Sequence, residues 1–234
     1  MNSDTNLRLI GAWISVFCVP VLAALIFVSN QSGESRPGSR CRHNLLQIGL
    51  ALHNYHEEYG TFPPQFTVDA NGVRLHSWRT LILPFLDQER LFAKIDLARP
   101  WDHESNQASA QEILDRIFRC AYSSHSDTMP VTTYFAVIES PVWSGSTSTK
   151  FSDLVDPANV PVAIEFHNQV TPWAKPEDVS LSELVRSNDE NDPLASPHTA
   201  RGFFNEIPPS LTVLFADGHA EFTSIDDPRL KLGE

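Results

Sequence analysis

The sequence predicts an α+β fold in which a membrane helix leads, one long amphipathic helix follows, and an antiparallel sheet with inserted shorter helices completes the chain. Three patterns predict it. Residues 9–28 (LIGAWISVFCVPVLAALIFV) carry no charge over twenty positions. Apolar residues recur at three- and four-residue steps from Leu45 to Tyr59, and beyond Cys120 the apolar runs become rich in branched and aromatic residues.

Residues 1–8 form a short tail. Twenty helical residues rise about 30 Å, the thickness of a bilayer core, so residues 9–28 are expected to span a membrane. Pro20 lies mid-span, where membrane helices tolerate it because neighbouring groups re-satisfy the freed carbonyl. A cleaved secretory signal is the competing reading. Against it, the apolar run exceeds the usual length of about 7–15 residues, and no clear A-x-A site precedes Asn30. Arg8 precedes the span whereas Arg36, Arg40 and Arg42 follow it, so charge alone would keep the following domain cytoplasmic. Residues 29–40 (SNQSGESRPGSR) read as a flexible linker, and residues 41–234 as a single α+β domain.

Within that domain, Leu45, Ile48, Leu52, Tyr55, His56 and Tyr59 define a helix of about five turns that stops at Gly60, ahead of Pro63 and Pro64. Residues 78–97 read as a short apolar segment and then a helix from Pro84, with Phe85, Leu86, Leu91, Phe92 and Ile95 on one side. Residues 105–119 read as a third helix, with Ser105 as N-cap. Strands are expected at 131–138, 160–166, 211–216 and 219–223. Asp217-Gly218 between the last two predicts a type I′ hairpin. The intervening stretch, 168–210, is long, Pro-rich and helical only around 181–186, as functional or poorly ordered loops are.

Lys and Arg total 17 against 29 Asp and Glu, a net charge of −12 that repels a phosphate backbone and excludes nucleic acid as a partner. Residues 151–234 carry 15 acidic and 5 basic groups, so a basic partner, a cation or an oligosaccharide would meet the chain there.

Cys18 falls in the apolar span, leaving Cys41 and Cys120 either as one disulfide, if the domain is exported, or as two unrelated buried thiols. His53, His56 and Glu57 share a helix face at spacings zinc could use. They supply only three donors among aromatic neighbours, and packing is the simpler role. The oxygen-rich loop 188–192 (NDEND) lacks the register of a calcium-binding EF-hand and reads as a solvated loop. Residues 144–149 (SGSTST) read as a turn. His198, His219 and Asp217 form no recognisable catalytic set, and no nucleophile elbow, P-loop or dinucleotide fingerprint is present. Trp143 and Trp173 either cover the sheet or mark an exposed face, with packing favoured. No catalytic residue, metal or cofactor is assigned.

The stretch from Cys41 to His56 (CRHNLLQIGLALHNYH), followed by Tyr59-Gly-Thr-Phe-Pro-Pro64, resembles the opening of the family known as domain of unknown function 1559. The positions that carry the likeness there are Asn44, Gln47, Gly49, His53, Asn54, Tyr55, His56, Pro63 and Pro64. Ser77-Trp78, Leu83-Pro84, Trp101, Cys120, the run Trp173-Ala-Lys-Pro176-Glu-Asp178 and Asp217-Gly218 are similar to its later landmarks. The resemblance implies a relative of type IV pilins and pseudopilins, with an N-terminal helix packed on an antiparallel sheet. It also implies export to the periplasm or cell exterior, against the charge count, with protein partners in a surface or secretion assembly. Three features depart from the family: the prepilin-type segment is absent, the linker 29–40 breaks the continuous helix that pilin subunits bundle into a filament core, and Ile207 stands where the C-terminal signature has a histidine ahead of the D-G pair. The expected role is a membrane-anchored extracytoplasmic domain in surface assembly, secretion or binding, with a minor-pilin-like subunit and a surface hydrolase as alternatives.

Overall fold

The computed structural model describes residues 39–112, 114–119, 130–166, 170–180, 210–224 and 227–230. The expected membrane span, Cys120, the loop 188–192, His198 and Ile207 lie outside these residues. Among those described, no helix is long and apolar enough to cross a membrane.

Helix α1, Ser39–Tyr59, is the helix its periodicity predicts. Cys41, Leu45, Ile48 and Leu52 line its buried stripe, and it ends where Gly60, at φ 75°, returns its N–H to the His56 carbonyl. After Pro63 and Pro64 comes a hairpin that the sequence pattern did not mark, β1 (Phe66–Val68) with β2 (Arg74–Ser77). Asp69 builds its turn by accepting the Asn71 and Val73 amides on one carboxylate oxygen, both at 2.8 Å.

The helix expected from Pro84 is a series of single turns: α2 (Trp78–Leu81), a 3₁₀ turn (Leu83–Leu86) and α3 (Glu89–Phe92). Asp87 adopts the left-handed region, φ 58°, and breaks the helical path. The apolar side chains still reach the core, since Leu83, Leu86 and Leu91 are buried. The third expected helix likewise divides, into α4 (Gln107–Ala110) and α5 (Asp115–Phe118). Ser105 does not cap it, because the Ser105 hydroxyl pairs with His103 Nδ1 at 2.9 Å. The neighbouring Asn106 is buried instead. Its amide donates to the carbonyls of Asp96, Arg99 and Pro100, and its oxygen accepts the Asp96 N–H, so one side chain fixes the loop 96–100.

The run 131–138 splits at Thr133 into β3 (Val131–Thr132) and β4 (Tyr134–Ala136). Thr132 Oγ1 donates to the Phe118 carbonyl and accepts the Tyr134 N–H, which lets the chain change partners at that point. With β5 (Pro161–Glu165), β7 (Ser210–Phe215) and β8 (Ala220–Ser224), β4 makes a four-stranded antiparallel sheet in the order β4-β5-β7-β8. Strand β3 pairs separately with β6 (Thr171–Pro172). Along the outer side of β4, Val137 and Val179 form a parallel bridge.

The β7–β8 hairpin stands as expected, but its turn differs from type I′. The Gly218 N–H reaches the Phe215 carbonyl and the Phe215 N–H reaches the His219 carbonyl, closing a three-residue loop. Gly218 has φ 92° and Asp217 no positive φ, the pattern of a type I turn with a glycine bulge.

Strands β4, β5 and β7 are buried on both faces, whereas the edge strand β8 leaves Phe222 exposed. Tyr134, Ala136, Val162, Leu214 and Ala216 join α1, Phe62, Trp78 and Trp173 in one cluster, while Phe135, Ile164, Val213 and Phe215 form a second with Leu230. Trp143 and Trp173 belong to the core, and their indole N–H groups donate to the carbonyls of Val162 and Glu112.

Candidate functional site

Most of the motif positions converge on two places. The first is a seam between α1 and the β7–β8 hairpin. A β-carbon on Gly49 would stand 2.8 Å from Leu214 Cδ1 and 3.3 Å from the Gly218 carbonyl, so only glycine admits this approach. One turn on, His53 Nε2 donates to the Ala216 carbonyl at 2.9 Å, and its ring lies within 3.4 Å of where a Gly218 side chain would begin. His56 Nε2 accepts the Phe151 N–H at 3.1 Å, and both imidazoles pack against Phe62 and Phe151.

Each of these histidines therefore commits its Nε2 to a backbone group, and Glu57 is exposed. Among the described residues no cluster of three or more His, Cys, Asp or Glu is disposed to hold a metal. Asp217 pairs with His219 Nδ1 at 2.5 Å on the exposed tip of the hairpin. At the start of α1, Cys41 is buried and disulfide-bonded. Nearby, Asn44 donates to the Arg119 carbonyl and to the Tyr134 hydroxyl, which reaches the Cys41 carbonyl. Burial pushes the Tyr134 phenol well above its ordinary range, so it stays a neutral hydroxyl. Gln47 is exposed, Asn54 half-buried, and Tyr55 packs on Tyr59 and Phe85.

The second place is a cleft, and an ion pair inside the protein positions one of its walls. Arg79 sits in α2, two residues after the Ser77 cap, with no exposed side-chain surface. Its Nη2 meets Asp178 Oδ1 at 2.6 Å, its Nε and Nη2 reach the Tyr134 carbonyl, and its Nη1 reaches Ser77 Oγ. Asp178 Oδ1 also accepts Trp78 Nε1–H and the Ala136 N–H. Such saturation is what allows two charges to stay buried. Burial pulls the Arg79 guanidinium below its ordinary range and Asp178 opposes that pull, but a guanidinium remains charged in proteins.

Asp178 anchors one end of a strap, residues 173–178. The other end is held by Trp173, whose backbone N–H meets the Pro130 carbonyl and whose indole meets that of Glu112. Outward from this anchored strap stand Lys175 and Glu177, paired at 2.7 Å. Hydrogen bonds from Lys175 and Thr171 hold the Glu177 carboxyl below its usual range. The opposite wall is Pro100-Trp101-Asp102, tied to β2 through the Trp101 N–H and the Leu75 carbonyl. Arg74 closes the floor, its Nη1 on the Pro176 carbonyl and its guanidinium 4.0 Å from the Phe66 ring centre. These residues and Val73 border a depression of about 430 Å³, open to solvent and of a size common among small-molecule sites.

Trp101 also lines a far smaller interior void with His76 and Thr80. Both of these residues are buried, and His76 Nδ1 and Thr80 Oγ1 find no hydrogen-bond partner. Burial lowers the His76 pKa, keeping the ring neutral.

Residues 38–160, just over half of the chain, match the model of a family described as a protein of unknown function, DUF1559. The chain belongs to this family. The DUF1559 match contains α1, the β1–β2 hairpin, Arg79 and the Trp101 wall. The strap and the β7–β8 hairpin lie beyond it, yet they supply the partners that these DUF1559 residues pack against. No curated protein and no solved structure matches the chain.

Trp101, Pro176 and Asp178 were visible as DUF1559 landmarks. Arg74, Arg79 and Asp102 were not singled out. A lone arginine inside the apolar run 78–86 (WRTLILPFL) is the signal that could have revealed Arg79, since a charge there needs a buried partner.

Proposed function

We propose that this chain is a membrane-anchored, extracytoplasmic binding domain, held by residues 9–28 and presenting the cleft between Trp101 and the strap. One observation carries the extracytoplasmic assignment: Cys41 is disulfide-bonded, and structural disulfides persist in oxidising compartments, not in the cytoplasm. Cys120 is the partner this proposal assigns, because it follows directly on Arg119, whose carbonyl accepts from Asn44 one turn along from Cys41. Binding, in preference to catalysis, is favoured because, among the described residues, the cleft lining carries no serine, cysteine or histidine and its one lysine is held by Glu177.

Labelling of intact cells with a membrane-impermeant thiol reagent, with and without reductant, tests the assignment. Labelling of Cys41 and Cys120 only after reduction is expected. Labelling that waits for cell lysis would put the domain in the cytoplasm and overturn the proposal.

A further inference from the structure

We propose that the cleft between Trp101 and the strap binds a neutral oligosaccharide. This deepens the binding part of the function above and is independent of which side of a membrane the domain faces.

Charge selects the class of ligand. Two cations, Arg74 and Lys175, and two carboxylates, Asp102 and Glu177, line the cleft, so its formal charge is zero. Lys175 is already matched to Glu177 at 2.7 Å, and Arg74 is engaged with the Pro176 carbonyl and the Phe66 ring. A phosphate or carboxylate ligand would meet a lining of zero formal charge in which Lys175 is already neutralised, and the net charge of −12 would repel an acidic polymer at a distance.

Main-chain bonding argues against an extended peptide. Strand addition requires free backbone groups, but in the strap the Lys175 N–H is bonded to the Pro172 carbonyl, the Glu177 N–H to the Lys175 carbonyl, and the Pro176 carbonyl to Arg74.

What the cleft does offer is a half-buried indole beside Pro100, a facing Pro176, and donors interleaved with acceptors on side chains. A pyranose has the complementary form. Its C–H face is apolar and stacks on an aromatic ring, while each hydroxyl both donates and accepts, so one group can bridge a carboxylate and an ammonium or guanidinium. The cleft is open to solvent, which suits a chain of sugars lying across it. Trp101 is set for this role before binding, because its N–H is fixed on β2 and Asn106 fixes the preceding Pro100 carbonyl.

The test is calorimetric titration of the purified full chain, in a detergent without a sugar headgroup, with cellohexaose, chitohexaose, xylohexaose and maltohexaose. Saturable one-to-one heat with at least one of them is expected. It should weaken at least tenfold in Trp101→Ala and severalfold in Glu177→Gln, and stay unchanged in Arg90→Ala, at an exposed position of α3. Near-ultraviolet circular dichroism checks folding, and if Trp101→Ala does not fold, Asp102→Asn and Glu177→Gln carry the test. No saturable heat at millimolar sugar, binding indifferent to these substitutions, or binding of heparin or oligoproline in preference to all four sugars would each overturn the proposal. Because cell labelling reports location alone, a failure here leaves the location assignment standing and the two results separable.

Discussion

Asp178 receives the Arg79 guanidinium at 2.6 Å across 99 residues of chain, inside the protein and away from solvent. That contact fixes the strap, and with it the Pro176 and Glu177 side of the cleft. Truncating one member of a buried pair leaves the other uncompensated, at a cost of about 3–5 kcal/mol. Asp178→Ala should therefore lower the urea-unfolding free energy by about that amount, and Asp178→Asn by less, because the amide oxygen can still accept a hydrogen bond. Equal loss in both variants would mean that charge compensation is not what Asp178 supplies.

The seam between α1 and the last hairpin makes a second prediction. Gly218 has φ 92°, and a side chain there would be strained by about 1–2 kcal/mol besides coming into contact with His53. Gly218→Ala should lower the melting temperature by several degrees. Gly60→Ala, also at positive φ but facing open space, should show the backbone strain alone. A thermal melt of both variants separates strain from crowding.

His76 makes stability depend on pH. Burial holds its folded pKa below the ordinary 6.5, so the unfolded chain binds the proton more readily. Stability should thus be full above about pH 6.5 and fall as acidification carries the solution below the unfolded value. Glu177, whose folded pKa is lowered, adds a second loss below its ordinary 4.5. Melting curves from pH 7.5 to 5 should descend in the wild type and flatten in His76→Gln. A wild-type profile flat across that window would contradict the assignment.

Reduction is the fourth lever on stability. Opening the Cys41 disulfide releases the unfolded chain from a constraint of about 2–5 kcal/mol. Urea unfolding with a phosphine reductant should shift to lower midpoint by a corresponding amount, and a Cys41→Ser variant should match the reduced wild type.

How far the sequence disclosed this structure depended on how locally each feature is encoded. The stripe of α1 is a property of one segment, and its limits were readable from periodicity and from Gly60. The final hairpin was readable from Asp217-Gly218, although the turn type depends on which residues bond across the loop, which a dipeptide does not specify. Asn71-Gly72 carried the same kind of signal for β1 and β2, but strands of three and four residues show too little alternation to stand out. The helices after Trp78 and Ser105 broke into single turns where tertiary demands prevailed, at the left-handed Asp87 and at Asn106, whose amide is committed to the loop before it. The cleft was the least legible feature. It joins residues near 74, 101 and 175, and its organising arginine is of a type usually found on surfaces.

The closeness of Gly49 to the Gly218 carbonyl also dictates an order of events in synthesis. The apolar stripe of α1 is completed by strands that leave the ribosome more than 150 residues later, so the first helix emerges long before its cover is complete. Throughout that interval the nascent chain offers an adhesive surface to its surroundings. A truncation that removes only β7 and β8 would leave α1 with Phe62, Trp78, Tyr134 and Val162 to pack on, but without the strand that Gly49 approaches.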